Sequence, residues 1–229
     1  MAARYDAIVI GGGHNGLTTA AYLGRAGKRV LVLERRHVLG GAAVTEEVFP
    51  GFKFSVCSYV CSLLRPEIIR DLDLPSHGFE VIPQEATFHP MPDGRYLLRY
   101  GSEDDTFQGI AKFSRRDAEA YPRFGRLMGR LAKFIAPTLT MTPPDIGSLN
   151  PMELRRLLNL NRQVKTLSEE ELYTFARMMT MSAADYLDEW FETDVLKAGM
   201  CSSGIIGTLL GPRSPGTAYV LLHHYMGEI

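Results

Sequence analysis

The chain has 229 residues, room for one large domain or two small ones with a sizeable core. Its 45% hydrophobic and 22% charged residues are ordinary for a globular protein, and a formal net charge of −1 offers no broad basic field to nucleic acid or an anionic membrane. No apolar run reaches the roughly 18 to 20 residues of a bilayer span, the start lacks a secretory pattern, and three cysteines (Cys57, Cys61, Cys201) argue against a disulfide scaffold. The expected location is the cytoplasm, with the mitochondrial matrix as the alternative for a eukaryotic source.

Taken in order, "YDAIVI" at 5–10 is an apolar, β-branched run ending in glycine, which predicts a buried strand. Residues 15–26 carry Leu17, Ala20, Ala21 and Leu23 at helical spacing, and Gly27 ends that helix. "RVLVLE" at 29–34 predicts a second strand, parallel to the first. From Ala42 to Phe54 the chain reads as extended, with a turn at Pro50-Gly51, and a short helix follows Arg65. Two strands joined at Pro92-Asp93-Gly94 come next.

Beyond residue 100 the pattern turns helical. Ser102 with Asp105, Ser114 with Asp117 and Ser168 with Glu171 stand at N-cap spacing, and Asn150-Pro151 is a further start signal. Tyr121, Phe124, Met128, Leu131 and Ile135 share one helical face. "GPRSPG" at 211–216 reads as a loop and "TAYVLLHHYM" as a helix. There is no internal repeat. A boundary near residue 75 separates residues 1–75, the start of a dinucleotide-binding domain, from 76–229, a mixed and mostly helical substrate region.

Gly11, Gly13 and Gly16 satisfy G-x-G-x-x-G between a strand and a helix. Gly11 permits a tight turn, Gly13 lets a pyrophosphate approach the backbone, and Gly16 lets the helix pack closely. His14 and Asn15 lie inside the turn, where the helix N-terminus offers free N–H groups and its positive dipole end. Glu34 closes the second strand, where a carboxylate accepts from ribose hydroxyls and repels a 2′-phosphate. These residues predict a dinucleotide and leave FAD and NAD open.

The stretch "ERRHVLGGAAVTEE" adds Arg35, Arg36 and the pair Gly40-Gly41. With "GGGHNGL", "PGFKFS", "SLLRP", "WFE" and "YVLLHHYMG", it resembles the phytoene desaturase and amine oxidase superfamily of FAD-dependent oxidoreductases. That resemblance implies FAD as cofactor, an acid on the adenosine ribose, a Gly-Gly loop beside the phosphates, and an apolar small-molecule substrate. One departure is Ala42, where the superfamily commonly has arginine; Arg35 or Arg36 is the candidate substitute. The resemblance also implies a longer protein with a late glycine-rich flavin segment. The chain therefore reads as an N-terminal portion, truncated at its C-terminus, expected to bind FAD weakly or not at all by itself.

Remaining candidates read as structural. Cys57 and Cys61 are spaced unlike a redox pair and read as small buried hydrophobes. His223 and His224 point about 100° apart on a helix, one packed and one exposed. Met178, Met179 and Met181 with Trp190 and Phe191 read as core, with an apolar cavity as the other possibility. No metal site and no catalytic base stand out. The reading is an α/β protein: an incomplete Rossmann-like FAD-binding βαβ start, then a mainly helical substrate or cap region. An NAD-dependent dehydrogenase and a non-catalytic protein retaining a dinucleotide fold are the alternatives.

Overall fold

The computed structural model describes residues 4–227. The chain forms two compact units that divide between Ile82 and Pro83.

In the first unit, strand β1 (Ala7–Ile10) leads through the glycines into helix α1 (His14–Arg25) and strand β2 (Val30–Leu33). β1 and β2 pair in parallel, from Ala7 opposite Val30 to Ile10 opposite Leu33. Gly27, at φ 76°, turns the chain out of α1, and the Lys28 amide reaches back to the Leu23 carbonyl. Among the described residues this sheet has only these two strands. Ile8 is 60% and Ile10 87% exposed, although parallel strands usually have both faces covered. The expectation of a buried first strand therefore fails locally: in a two-strand sheet nothing lies over these side chains.

A 3₁₀ turn at Gly41–Ala43 follows, then the antiparallel hairpin β3 (Thr45–Phe49) and β4 (Phe52–Ser55) around Pro50-Gly51. Helix α2 (Pro66–Asp71) starts on proline, whose missing N–H costs nothing in a first turn. Tyr22 of α1 donates to the Asp71 carboxylate at 3.0 Å, and the Arg25 guanidinium donates to the Asp71 carbonyl. These bonds tie α1 to α2.

The second unit begins with the hairpin β5 (Ala86–Pro90) and β6 (Tyr96–Tyr100), turned by Gly94 at φ 83°. Seven α-helices follow among the described residues: α3 (Glu103–Ala111), α4 (Arg115–Ile135), α5 (Pro151–Val164), α6 (Glu169–Met178), α7 (Ala183–Asp188), α8 (Asp194–Cys201) and α9 (Thr217–Tyr225). The predicted face of α4 is the centre of the core. Phe124, Met128 and Leu131 are fully buried and Ile135 nearly so, while Tyr121 is half-buried. Phe124 meets Trp190 edge-on at 5.4 Å, with Phe191 at 5.3 Å and Tyr186 at 6.0 Å between centroids.

The predicted caps all form. Ser102 and Ser114 each accept from the amide three residues on at 3.1 Å, and Asn150 accepts from Met152 at 2.9 Å. Ser168 and Glu171 make the reciprocal capping box. Ser182, unremarked in the sequence, caps α7 in the same way. The least local polar feature is Asp117, whose carboxylate is fully buried and accepts from the amides of Glu192 and Thr193, both at 2.9 Å.

Glu171 also accepts from Arg130, and that guanidinium, with the Ser168 amide, holds its carboxyl at about 2. Its folded value lies below its ordinary one, so the contribution is present above about pH 4.5 and fades as pH falls toward 2. Glu171→Gln is expected to flatten that part of the acid unfolding curve, measured by circular dichroism. The effect is modest because the Arg130 side of the pair is exposed to solvent.

Candidate dinucleotide-binding site

Three loops of the first unit converge. Gly11, at φ 105°, donates its amide to the Leu33 carbonyl at 2.8 Å and carries the chain off β1 where β2 ends. A Cβ on Gly16 would lie 2.1 Å from the Gly11 carbonyl oxygen, so α1 packs onto the turn at a distance only glycine permits. A Cβ on Gly13 would meet nothing nearer than the Gly41 Cα, at 3.7 Å. That is ordinary van der Waals contact, so the Gly41 backbone lies against Gly13.

Helix α1 begins at His14 and Asn15, both exposed, with no side-chain cap and no acid in its first turn. Its first amides are left for a ligand or solvent.

Glu34 sits against this turn. Its Oε2 accepts from the Gly12 amide at 2.7 Å and its Oε1 from the Arg36 amide at 2.9 Å. Those bonds, Arg36 first and Gly12 second, hold the carboxyl below its usual range and keep it charged near neutrality. Each oxygen keeps a further lone pair for an incoming hydroxyl.

The second glycine pair closes the cradle. The Gly40 amide donates to the Gly12 carbonyl at 2.8 Å, and Gly40 and Gly13 form a parallel bridge. A Cβ on Gly41 would come within 2.9 Å of the Gly13 Cα. Gly40 and Gly41 have φ of 122° and 58°, the left-handed side that favours glycine. The two glycine stretches are thus in direct contact.

Of the predicted site residues, Gly11, Gly13, Gly16, Glu34, Gly40 and Gly41 come together, with His14 and Asn15 at the helix tip. Ala42 is exposed within the 3₁₀ turn and brings no charge. Arg36 is engaged by the Glu46 carboxylate, and Arg35 is exposed without an ion pair among the described residues. Sequence reasoning missed Gly12, which is buried and whose Cβ would lie 2.6 Å from the Leu39 side chain. The triple glycine in "GGGHN" was the available signal.

Other expectations are corrected. Cys57 and Cys61 are free and exposed rather than buried, because residues 56–64 form no regular element that packs them. His223 and His224 are both half-buried, because their 100° separation straddles the edge of the α9 core face. Burial pushes the His223 imidazole down, and the His224 Nδ1 lies 2.9 Å from the Val220 carbonyl. Met178 and Phe191 are core, whereas Met179 is exposed. Among the described residues no group of three or more His, Cys, Asp or Glu side chains could hold a metal. Nor is any helix of those residues long and apolar enough to cross a membrane.

The NAD(P)-binding Rossmann-like domain family matches residues 9–73, the stretch that holds this cradle. Over 99% of this chain, pyridine nucleotide-disulfide oxidoreductase domain-containing protein 2 of Rattus norvegicus is 44% identical, and the match spans 41% of that protein. One subunit of limonene dehydrogenase from Castellaniella defragrans is 45% identical over 118 residues, 51% of this chain and 21% of that one. Among solved structures, a triple mutant of putrescine oxidase redesigned for cofactor binding superposes with a TM-score of 0.53 at 17% identity. It covers 96% of this chain and 43% of its own, and at that identity it speaks to fold alone. The chain thus has a Rossmann-like first unit and is similar, over nearly its whole length, to two-fifths of pyridine nucleotide-disulfide oxidoreductase domain-containing protein 2.

Proposed function

We propose that the first unit grips the adenosine diphosphate half of FAD, and that the chain is part of an FAD-dependent oxidoreductase of the phytoene desaturase and amine oxidase superfamily. The observation that carries this reading is the charged Glu34 carboxylate, 2.7 Å from the Gly12 amide at the mouth of an open, uncapped helix tip. In this reading the α1 amides hold the diphosphate. Glu34 accepts from both ribose hydroxyls, and the Gly40-Gly41 loop walls the site. FAD, when bound, supplies the hydride-accepting ring. Residues 76–229 would belong to the region that receives an apolar small molecule. We name no catalytic base.

Two features weigh on the choice of nucleotide. The carboxylate disfavours a 2′-phosphate, which argues against NADP. The description of the matching family favours NAD as a second reading.

Calorimetry with ADP tests the grip without requiring the ring contacts. The chain is expected to bind ADP, to bind adenosine 2′,5′-bisphosphate far more weakly, and to lose about tenfold or more in ADP affinity on Glu34→Gln. Equal binding of the two nucleotides, or an unaltered Glu34→Gln variant, would remove the basis of the reading. A competition between FAD and NAD for the same ADP-displaceable site then decides between the two cofactors.

A further inference from the structure

The composition rules out a broad basic field, but the fold gathers charge locally. Helix α5 buries none of its residues. Its inner side, with Leu157, Leu160 and Val164, is half-buried. Its outer side carries Leu154 and Leu158, one turn apart and 42% and 58% exposed. Arg155, Arg162 and Lys165 flank these leucines on the same exposed side, at spacings of three, four and seven residues from them. The loop before α5 ends in Ile146 and Leu149, 87% and 88% exposed.

The charges around this face are one-sided. Glu153 is paired with Arg156, one turn away. None of Arg155, Arg162 and Lys165 has an ion pair among the described residues. The remaining acid of the stretch, Asp145, is exposed and accepts from the Gly147 amide at 2.9 Å, so three unpaired cations face one unpaired carboxylate. Beyond Ser168, Glu169 and Glu170 open the next helix and lie outside the stretch.

We propose that this loop and the outer face of α5 dock the protein on an anionic bilayer surface. Ile146, Leu149, Leu154 and Leu158 enter the boundary between headgroups and acyl chains. Arg155, Arg162 and Lys165 meet lipid phosphates and carboxylates. Apolar prongs ringed by unpaired cations are the chemistry that lies in a membrane interface. The proposal is independent of which nucleotide the first unit binds.

Vesicle sedimentation of the 229-residue chain tests it, using phosphatidylcholine vesicles with and without about one-third phosphatidylserine. The chain is expected to sediment with the anionic vesicles, to release as salt is added, and to sediment poorly with phosphatidylcholine alone. Each lost cation near such a surface weakens binding about fivefold, so reversing all three in R155E/R162E/K165E should cost a hundredfold or more. The variant I146S/L149S lies in a loop and leaves the core untouched. It should bind more weakly while retaining its helical circular dichroism. Three results would overturn the proposal: no sedimentation with anionic vesicles at low salt, unchanged binding by either variant, or a dimer that I146S/L149S converts to monomer. The last would assign this face to a second copy of the chain.

Discussion

Gly16→Ala is expected to destabilise the first unit by about 3 kcal/mol, the upper end for overpacking. The added Cβ would stand 2.1 Å from the Gly11 carbonyl oxygen, and that oxygen is fixed backbone with no rotamer to change. Either α1 slides away from β1, or the glycine turn opens and separates the Gly12 amide from Glu34. Both routes also break up the paired glycine loops proposed to hold a nucleotide. Gly24 in the same helix is the control, because a Cβ there would meet nothing within 4 Å. Gly24→Ala should stabilise α1 by about 0.5 to 1 kcal/mol through the usual helix preference. Hydrogen exchange of the α1 amides is the appropriate readout. The chain's single tryptophan, Trp190, lies in the second unit and does not report on the first. Equal protection of α1 in the two variants would refute the packing argument.

Asp117→Ala is expected to cost the second unit about 3 to 5 kcal/mol, because two charge-assisted hydrogen bonds disappear together. The amides of Glu192 and Thr193 would lose the acceptor that fixes the chain between α7 and α8. Ser114 donates to the Glu192 side chain in the same junction, so the start of α4 would loosen as well. Asp117→Asn keeps one acceptor and turns an NH₂ group toward the other amide, and should fall midway at about 2 kcal/mol. Trp190, two residues before Glu192, should shift its emission at the same denaturant concentration as the helical signal. A loss below about 1 kcal/mol for Asp117→Ala would show the carboxylate to be replaceable, by water for example.

What could be read in advance divides by range. The glycine turn, the strand ending at Glu34 and the caps at Ser102, Ser114, Asn150 and Ser168 are local, each needing only neighbours within a few positions. Those were legible. The face of α4 was legible too, because burial follows helical period. Asp117 gave away only half its role: its spacing from Ser114 marks an N-cap, but its carboxylate serves residues some seventy-five positions on. No local pattern encodes that. Gly12 was passed over because the motif reserves a free position for it, while its burial against Leu39 arises only once the loop after β2 folds back. Cys57 and Cys61 misled for the opposite reason. Cysteine is usually a buried residue, and here the segment around it makes no element that could cover it.

The bridge between Gly13 and Gly40 makes two distant stretches one mechanical part. Anyone transplanting this cradle onto another scaffold would have to move residues 11–16 and 34–44 as a single cassette. Grafting the first alone would strand the Gly12 amide without its carboxylate and leave a hole where the Gly41 backbone now rests. A natural variant at position 41 should therefore push on the backbone at position 13, although a complete strand and helix separate them along the chain.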